Sequence, residues 1–207
     1  MKVLLLSPHT DDVELGAGGT VAKLLEEGHE LYWVVFSTCE ESVPENLPKD
    51  TLKKEFLEVL KRINFKGNYK IYNFKVRNFF KNRQEILEEL VKLRKEFKPD
   101  LVITPSSNDF HQDHYVIAME SIRAFIKHSN IIGYEIPWNN IKIPLNFFVS
   151  LSKNHIEKKI EMLNCYKSQF NLRNYFSKDF IFGLAKVRGV QSNSEYAEAF
   201  EVIRWRL

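Results

Sequence analysis

Two short stretches carry the residues whose types and spacing suit catalysis. In the first, His9, Asp11 and Asp12 stand within four residues, directly after an apolar run that stops at Pro8. In the second, His111, Asp113 and His114 follow a similar run that stops at Pro105. His9, Asp12 and His114 together offer two imidazoles and a carboxylate, a donor set suited to one catalytic divalent ion, most simply Zn2+, with positions left for water and substrate. Such an ion lowers the pKa of bound water to about 7 and polarises a carbonyl oxygen. Asp11, beside a ligand but directed elsewhere, is then the natural general base. His111 is placed to face the substrate oxygen, where as imidazolium it could stabilise an oxyanion or protonate a leaving amine. Asp113 is expected to orient His111 through its other ring nitrogen. A lone histidine beside carboxylates is more often a helix cap or a surface ion pair than a ligand. Their combination, each at a strand end and before a helix, points to a metal.

The stretches can meet only if the elements around them bring them together. Val3 to Leu6 is a continuous apolar run, the pattern of a strand covered on both faces. Leu31–Phe36, Tyr69–Phe74 and Leu101–Thr104 read as further strands. Between them lie helical spacings: one from Ala17 to a stop at Gly28, one over Thr51–Ile63 behind an Asp50 cap, and one over Asn82–Phe97 before Pro99. This alternation predicts an α/β, Rossmann-like fold, a mostly parallel sheet flanked by helices on both faces, as a single domain over residues 1–207. Ligands of such sheets bind at the carboxyl ends of the strands, so the loops after strands one and four converge if those strands are neighbours at a switch point. A helix carrying Val116, Ile117, Met119, Ile122 and Ile126 follows, then strands at Ile131–Ile136 and Asn146–Leu151. A helix over Ser152–Tyr166 and a last strand over Phe200–Leu207 complete the expectation, and the aromatic segment Phe170–Phe182 shows no readable period.

Composition narrows the function classes. The 207 residues can bury one core without staples. Thirty basic and 27 acidic residues, spread along the chain for a net charge of +3, leave no basic stripe for nucleic acid. Cys39 and Cys165 are isolated, which fits free buried thiols in a reducing compartment. The opening apolar run is too short for a signal peptide and no stretch approaches the roughly 20 residues of a membrane span, so a cytoplasmic protein is expected. Gly16, Gly18 and Gly19 invite a dinucleotide reading, but the third glycine of that fingerprint falls on Val21; close packing of the helix on the sheet is the better account. Arg77 and Arg83 flank an aromatic loop after strand three and are candidates for binding substrate hydroxyls, carboxylate or phosphate. Phe79, Phe80 and Trp138 suit a cleft wall or a subunit contact, which leaves a homo-oligomer open.

The stretch Pro8-His9-Thr10-Asp11-Asp12-Val13-Glu14-Leu15-Gly16-Ala17-Gly18-Gly19-Thr20 resembles the His-Pro-Asp-Asp signature of the LmbE/PIG-L family of zinc-dependent N-acetylglucosaminyl deacetylases. His111-Gln112-Asp113-His114 is similar to that family's second, His-Pro-Asp-His, signature, with Thr10 and Gln112 replacing the prolines. The likeness extends through Tyr166-Lys167-Ser168-Gln169-Phe170 and Tyr196-Ala197-Glu198-Ala199-Phe200. It implies a Rossmann-like fold and hydrolysis of an acetamide on an N-acetylated sugar conjugate, a small-molecule substrate. It also implies His9, Asp12 and His114 as zinc ligands, Asp11 as base and His111 as oxyanion stabiliser. The glycine run and the Tyr-Lys-Ser-Gln-Phe segment look most like the bacillithiol-pathway branch, which acts on a glucosaminyl malate precursor. That branch tends to carry arginine where this chain has Phe110, which makes nucleotide- or lipid-linked polysaccharide precursors equal candidates. Two rival readings remain at this level: an amidase of thiol conjugates with the same metal chemistry, and a non-catalytic sugar- or nucleotide-binding domain.

Overall fold

The computed structural model describes residues 1–170 and 172–206. A seven-stranded sheet in the order β3-β2-β1-β4-β5-β7-β6 forms its centre. Strands β1 (Lys2–Ser7), β2 (Glu30–Val35), β3 (Asn68–Ile71), β4 (Leu101–Pro105) and β5 (Asn130–Tyr134) are all parallel. Strand β7 (Tyr196–Arg204) runs antiparallel between β5 and β6 (Phe147–Leu151).

Because successive side chains of a strand point to opposite faces, each fully apolar strand feeds two cores. Val3 and Leu5 of β1 pack with Trp33 and Val35 on one face, under helices α1 (Asp12–Glu26), α2 (Thr51–Arg62), α5 (Lys153–Leu163) and α7 (Lys178–Gln191). Leu4 and Leu6 join Val34 and Val102 on the other, under α3 (Arg83–Phe97) and α4 (Gln112–Phe125). A one-turn helix α6 (Lys167–Phe170) leads from α5 towards α7. Among the described residues no helix is long and apolar enough to cross a membrane, and both cysteines are free and buried.

The chain departs from its pattern in three places. Helix α1 starts at Asp12 rather than Ala17, because Ala17 is a kink (φ −143°, ψ 15°) joining a first turn to the helix proper. The kink strips the Gly19 and Thr20 N–H groups of helical partners, and both donate to the buried Glu198 carboxylate at 3.0 and 2.7 Å; Lys159 neutralises that carboxylate at 2.6 Å. The expected packing role of the glycines holds: a Cβ on Gly16 would lie 2.4 Å from the Tyr134 ring, and one on Gly18 would lie 2.8 Å from Lys159. Strand β7 begins at Tyr196, four residues before the expected start, and Leu207 lies outside the described residues. Part of the unreadable aromatic segment opens helix α7, whose Gly189 packs against the Glu195 backbone.

Candidate metal and catalytic site

The pairing of β1 with β4 makes the switch point, since the chain moves outward from this pair in both directions. Their two following loops therefore meet. Each ends in a helix N-terminus, α1 beginning at Asp12 behind Asp11 and α4 at Gln112 behind His111. A cavity of about 350 Å³ opens there, with His9, Asp11, Asp12, His111 and His114 on its floor.

Three donor atoms converge. His9 Nδ1 lies 3.2 Å from Asp12 Oδ2, His114 Nε2 lies 3.2 Å from the same oxygen, and the two nitrogens are 3.2 Å apart. Tetrahedral ligands bonded at about 2.0–2.1 Å are separated by roughly 3.3–3.4 Å, so this triangle fits one divalent ion. The three imidazoles of His9, His111 and His114 also present nitrogens within 4.8 Å of one another; the triangle with Asp12 is the tighter set.

The other ring nitrogen of each candidate ligand is anchored by its own carboxylate. His9 Nε2 bonds Asp113 Oδ2 at 3.1 Å, and His114 Nδ1 bonds Asp109 Oδ2 at 2.7 Å. Each carboxylate keeps a proton on the nitrogen it faces, which directs the opposite lone pair to the triangle. Asp113 is itself fixed by the N–H groups of Arg77 (2.6 Å) and Phe79 (3.4 Å). Asp113 thus serves His9, where pairing with His111 was expected. The reason is directional: residues two apart at a helix start diverge by about 200°, and Asp113 points back across the loop to β1. Asp109 was not singled out from sequence; its Oδ1 accepts the His111 N–H at 2.8 Å while Oδ2 holds His114.

Electrostatics divide the roles. Burial alone would lower the His9 pKa, but the Asp12 charge and hydrogen bonds to Asp113 and Asp12 outweigh it and push it up to about 9. His114, likewise opposed by burial, is pushed up to about 10 by Asp12 and Asp109. Asp12 is buried, yet the His114 and His9 charges hold it well below the usual carboxylate range. Asp11 is pushed up to about 6 by burial and by the Asp12 charge. His111 is pushed down to about 4, first by burial and then by the charges of His114 and His9. Its Nδ1 accepts the Asp113 N–H at 3.3 Å, which leaves the proton on Nε2. The downward shift favours a neutral ring donating through Nε2 over the imidazolium expected from sequence.

Arg77 lines the cavity as expected. Arg83 does not: its Nε and Nη2 bind Glu120 of α4 at 2.6 and 2.5 Å, a carboxylate that Arg123 also holds. As the first residue of α3 it is directed to α4 and away from the loop. Phe79, expected at a cleft wall or a subunit contact, is buried, whereas Phe80 is 70% exposed. Trp138 stands at the cavity wall, stacked on Tyr175 at 3.8 Å, and Arg173 lines the same wall; neither Tyr175 nor Arg173 carried a sequence signal.

Residues 4–125 match the family model described as PIG-L: GlcNAc-PI de-N-acetylase. The chain belongs to the PIG-L family. Within it, the chain is similar to the uncharacterized deacetylase YaiS of Escherichia coli (strain K12), at 24% identity over 176 residues, 80% of this chain and 90% of the relative. Among solved structures, N,N'-diacetylchitobiose deacetylase from Pyrococcus horikoshii superposes with a TM-score of 0.79 at 23% identity, covering 98% of this chain and 83% of that one. The 4-carboxy-2-hydroxymuconate hydratase GalB from Pseudomonas putida KT2440 does so with a TM-score of 0.80 at 18% identity, covering 100% and 97%. The fold alone thus hosts a deacetylase and a hydratase, and the residues at the site have to argue the chemistry. PIG-L membership makes this chain a deacetylase, a hydrolytic enzyme acting on an N-acetyl group.

Proposed function

We propose that the protein is a zinc-dependent hydrolase that removes the acetyl group from an N-acetylglucosamine-type sugar conjugate, releasing acetate and a free amino sugar. The observation that carries this is the triangle of His9 Nδ1, Asp12 Oδ2 and His114 Nε2, with the Asp11 carboxyl and the His111 Nε2 donor beside it in one cavity. When bound, the ion supplies Lewis-acid polarisation of the amide carbonyl and a water more acidic than bulk.

The chain's own residues do the rest. Asp11, pushed up to about 6, is ionised at neutral pH and basic enough to take the proton of the attacking water. The same carboxyl, once protonated, can return that proton to the nitrogen as the C–N bond breaks, so that acetate and amine leave together. His111 donates through Nε2 to the oxygen on which negative charge develops, and a neutral donor does so without giving up its proton. Asp109 and Asp113 hold the two ligating rings in the required tautomer.

The test is acetate release, followed by mass spectrometry, from a panel of N-acetylated sugars with zinc-loaded protein. Asp11→Asn is expected to keep the metal and lose at least 100-fold in kcat, the scale of a general base. Zinc-loaded protein that releases no acetate from any member of the panel refutes the reading and moves attention to hydration chemistry.

A further inference from the structure

Among the described residues strand β7 puts no side chain on the metal cavity, yet one of its residues grips the loop that carries half of the site. Glu201 pairs with Gly133 of β5, and Gly133 pairs in turn with Thr104 of β4. Gly133 has no side chain to stand between its neighbours: a Cβ there would lie 2.7 Å from Ser106 Cα. Across that gap the Glu201 carboxylate collects four donors from three consecutive residues. Its Oε2 accepts from Ser106 Oγ at 2.7 Å and from the Ser107 N–H at 2.8 Å. Its Oε1 accepts from Ser107 Oγ at 2.5 Å and from Asn108 Nδ2 at 3.2 Å.

Asp109 follows the clamped segment directly. Its N–H donates to the Ser106 carbonyl at 3.1 Å, and the Asn108 N–H donates to Ser106 Oγ at 3.0 Å. The turn that Glu201 holds therefore fixes where the Asp109 side chain starts, and that side chain is the one bonded to His114 Nδ1 at 2.7 Å. Glu201 is buried, and none of its four partners is a cation. A buried carboxylate is costly to keep, and an apolar residue of similar volume serves stability as well or better. What the carboxylate adds is a fixed set of directions to one loop. We propose that Glu201 is a positioning residue for the metal centre, setting the loop after β4 so that Asp109 holds the His114 ring in its ligating orientation. This rests on the reading of the triangle as a metal site.

Zinc affinity is measured by chelator competition for the native protein, Glu201→Gln, Asp109→Asn and the double variant, and each is also loaded with Co2+ for its visible absorption spectrum. Glutamine keeps the shape but turns one acceptor oxygen into an amide that donates towards groups that already donate. Glu201→Gln is expected to weaken zinc binding about five- to tenfold, less than the loss of a carboxylate bonded directly to a ligating ring. Because the effect passes through Asp109, the double variant is expected to bind zinc within about twofold of Asp109→Asn alone. The Co2+ band of Glu201→Gln is expected to shift in the same direction as that of Asp109→Asn, which a loss of stability elsewhere does not produce. Unchanged zinc affinity or an unchanged Co2+ spectrum in Glu201→Gln overturns the proposal, as do losses that multiply in the double variant. If Glu201→Gln does not fold, Ser107→Ala, which removes one donor and leaves the carboxylate, enters the same cycle with an expected loss of about two- to fourfold; no loss there overturns the proposal equally. Native protein that binds zinc no better than Glu201→Gln drops only the role of Glu201, whereas native protein that takes up no zinc removes the metal reading with it.

Discussion

Metal binding at this site is expected to expel about two protons at pH 7, and the expectation follows from the pKa values of the two ligating rings. In the metal-free protein His9 sits at about 9 and His114 at about 10, so each is roughly 99% protonated or more at pH 7. Their committed nitrogens face Asp113 and Asp109. The protons lost on metal binding are therefore those on His9 Nδ1 and His114 Nε2, the atoms of the triangle. Asp12, held well below the usual range, and His111, held at about 4, carry no proton to lose. Apparent affinity for zinc should then rise about 100-fold per pH unit from pH 7 to about 8.5, about tenfold per unit between 9 and 10, and level off above that. Stability of the metal-free protein moves the opposite way. Histidines whose folded pKa exceeds the unfolded 6.5 contribute stability that is complete below about 6.5 and lost as pH rises through 9 to 10. Calorimetric titration of zinc at pH 7 in two buffers of different ionisation enthalpy counts the protons directly, and chelator competition across pH gives the slope. Release of fewer than one proton per ion would refute the reasoning: the rings would then be neutral before the metal arrives, with Asp113 and Asp109 setting only the tautomer.

Three further outcomes follow from the same contacts. Asp109→Asn and Asp113→Asn should each weaken zinc binding 10- to 100-fold while leaving the three donor residues in place, because an amide no longer enforces the tautomer; equilibrium dialysis measures this. Gly16→Ala should destabilise the fold by about 1–3 kcal/mol, since its Cβ would press on the Tyr134 ring at 2.4 Å. Gly28→Ala, in open space but at φ +73°, should cost about 1–2 kcal/mol from backbone strain alone, and urea midpoints separate the two. Arg83→Met should lower stability by about 1–3 kcal/mol and leave KM unchanged, because it uncovers one side of the buried Glu120 while Arg123 remains; a raised KM would return Arg83 to the site.

What could be read from the sequence was local. His9, Asp11 and Asp12 announce themselves because they share one strand end, and His111 and His114 because they share another. The alternation of strand and helix predicted the parallel sheet, and the two loops could meet only on the condition that β1 and β4 are neighbours, which the strand order meets. The residues whose partners were not legible act over distance or through rotation. Asp113 stands two positions from His111 and 104 from His9, and a helical start sends it to the distant one. Arg83 lies close to Arg77 in sequence, but the first turn of α3 carries it to α4. Helix α7 was not legible because Val187 and Val190 are exposed apolar residues outside its buried row of Ile181, Ala185 and Gly189, and because Gly183 and Gly189 interrupt the pattern; Ile181 and Ala185 join the core, and Gly189 packs closely on the Glu195 backbone. Arg173 and Tyr175 stand in an aromatic stretch with no period, and only folding brings them to the cavity wall.

The second stretch therefore contributes more than the missing ligand. From six consecutive residues, Asp109 to His114, come one of the proposed metal ligands, the proposed oxyanion donor, and the carboxylates bonded to the rings of both proposed ligands, including the ring supplied by the first stretch. Asp113 also ties the loop after β3 into the same arrangement through the Arg77 and Phe79 N–H groups. A change at Asp113 thus reaches His9 in one direction and Arg77 in the other. Metal affinity and substrate selectivity should fall together in variants of this residue, whereas variants of Asp109, whose side-chain hydrogen bonds stop at His111, His114 and Asn139, should move metal affinity and leave selectivity unchanged.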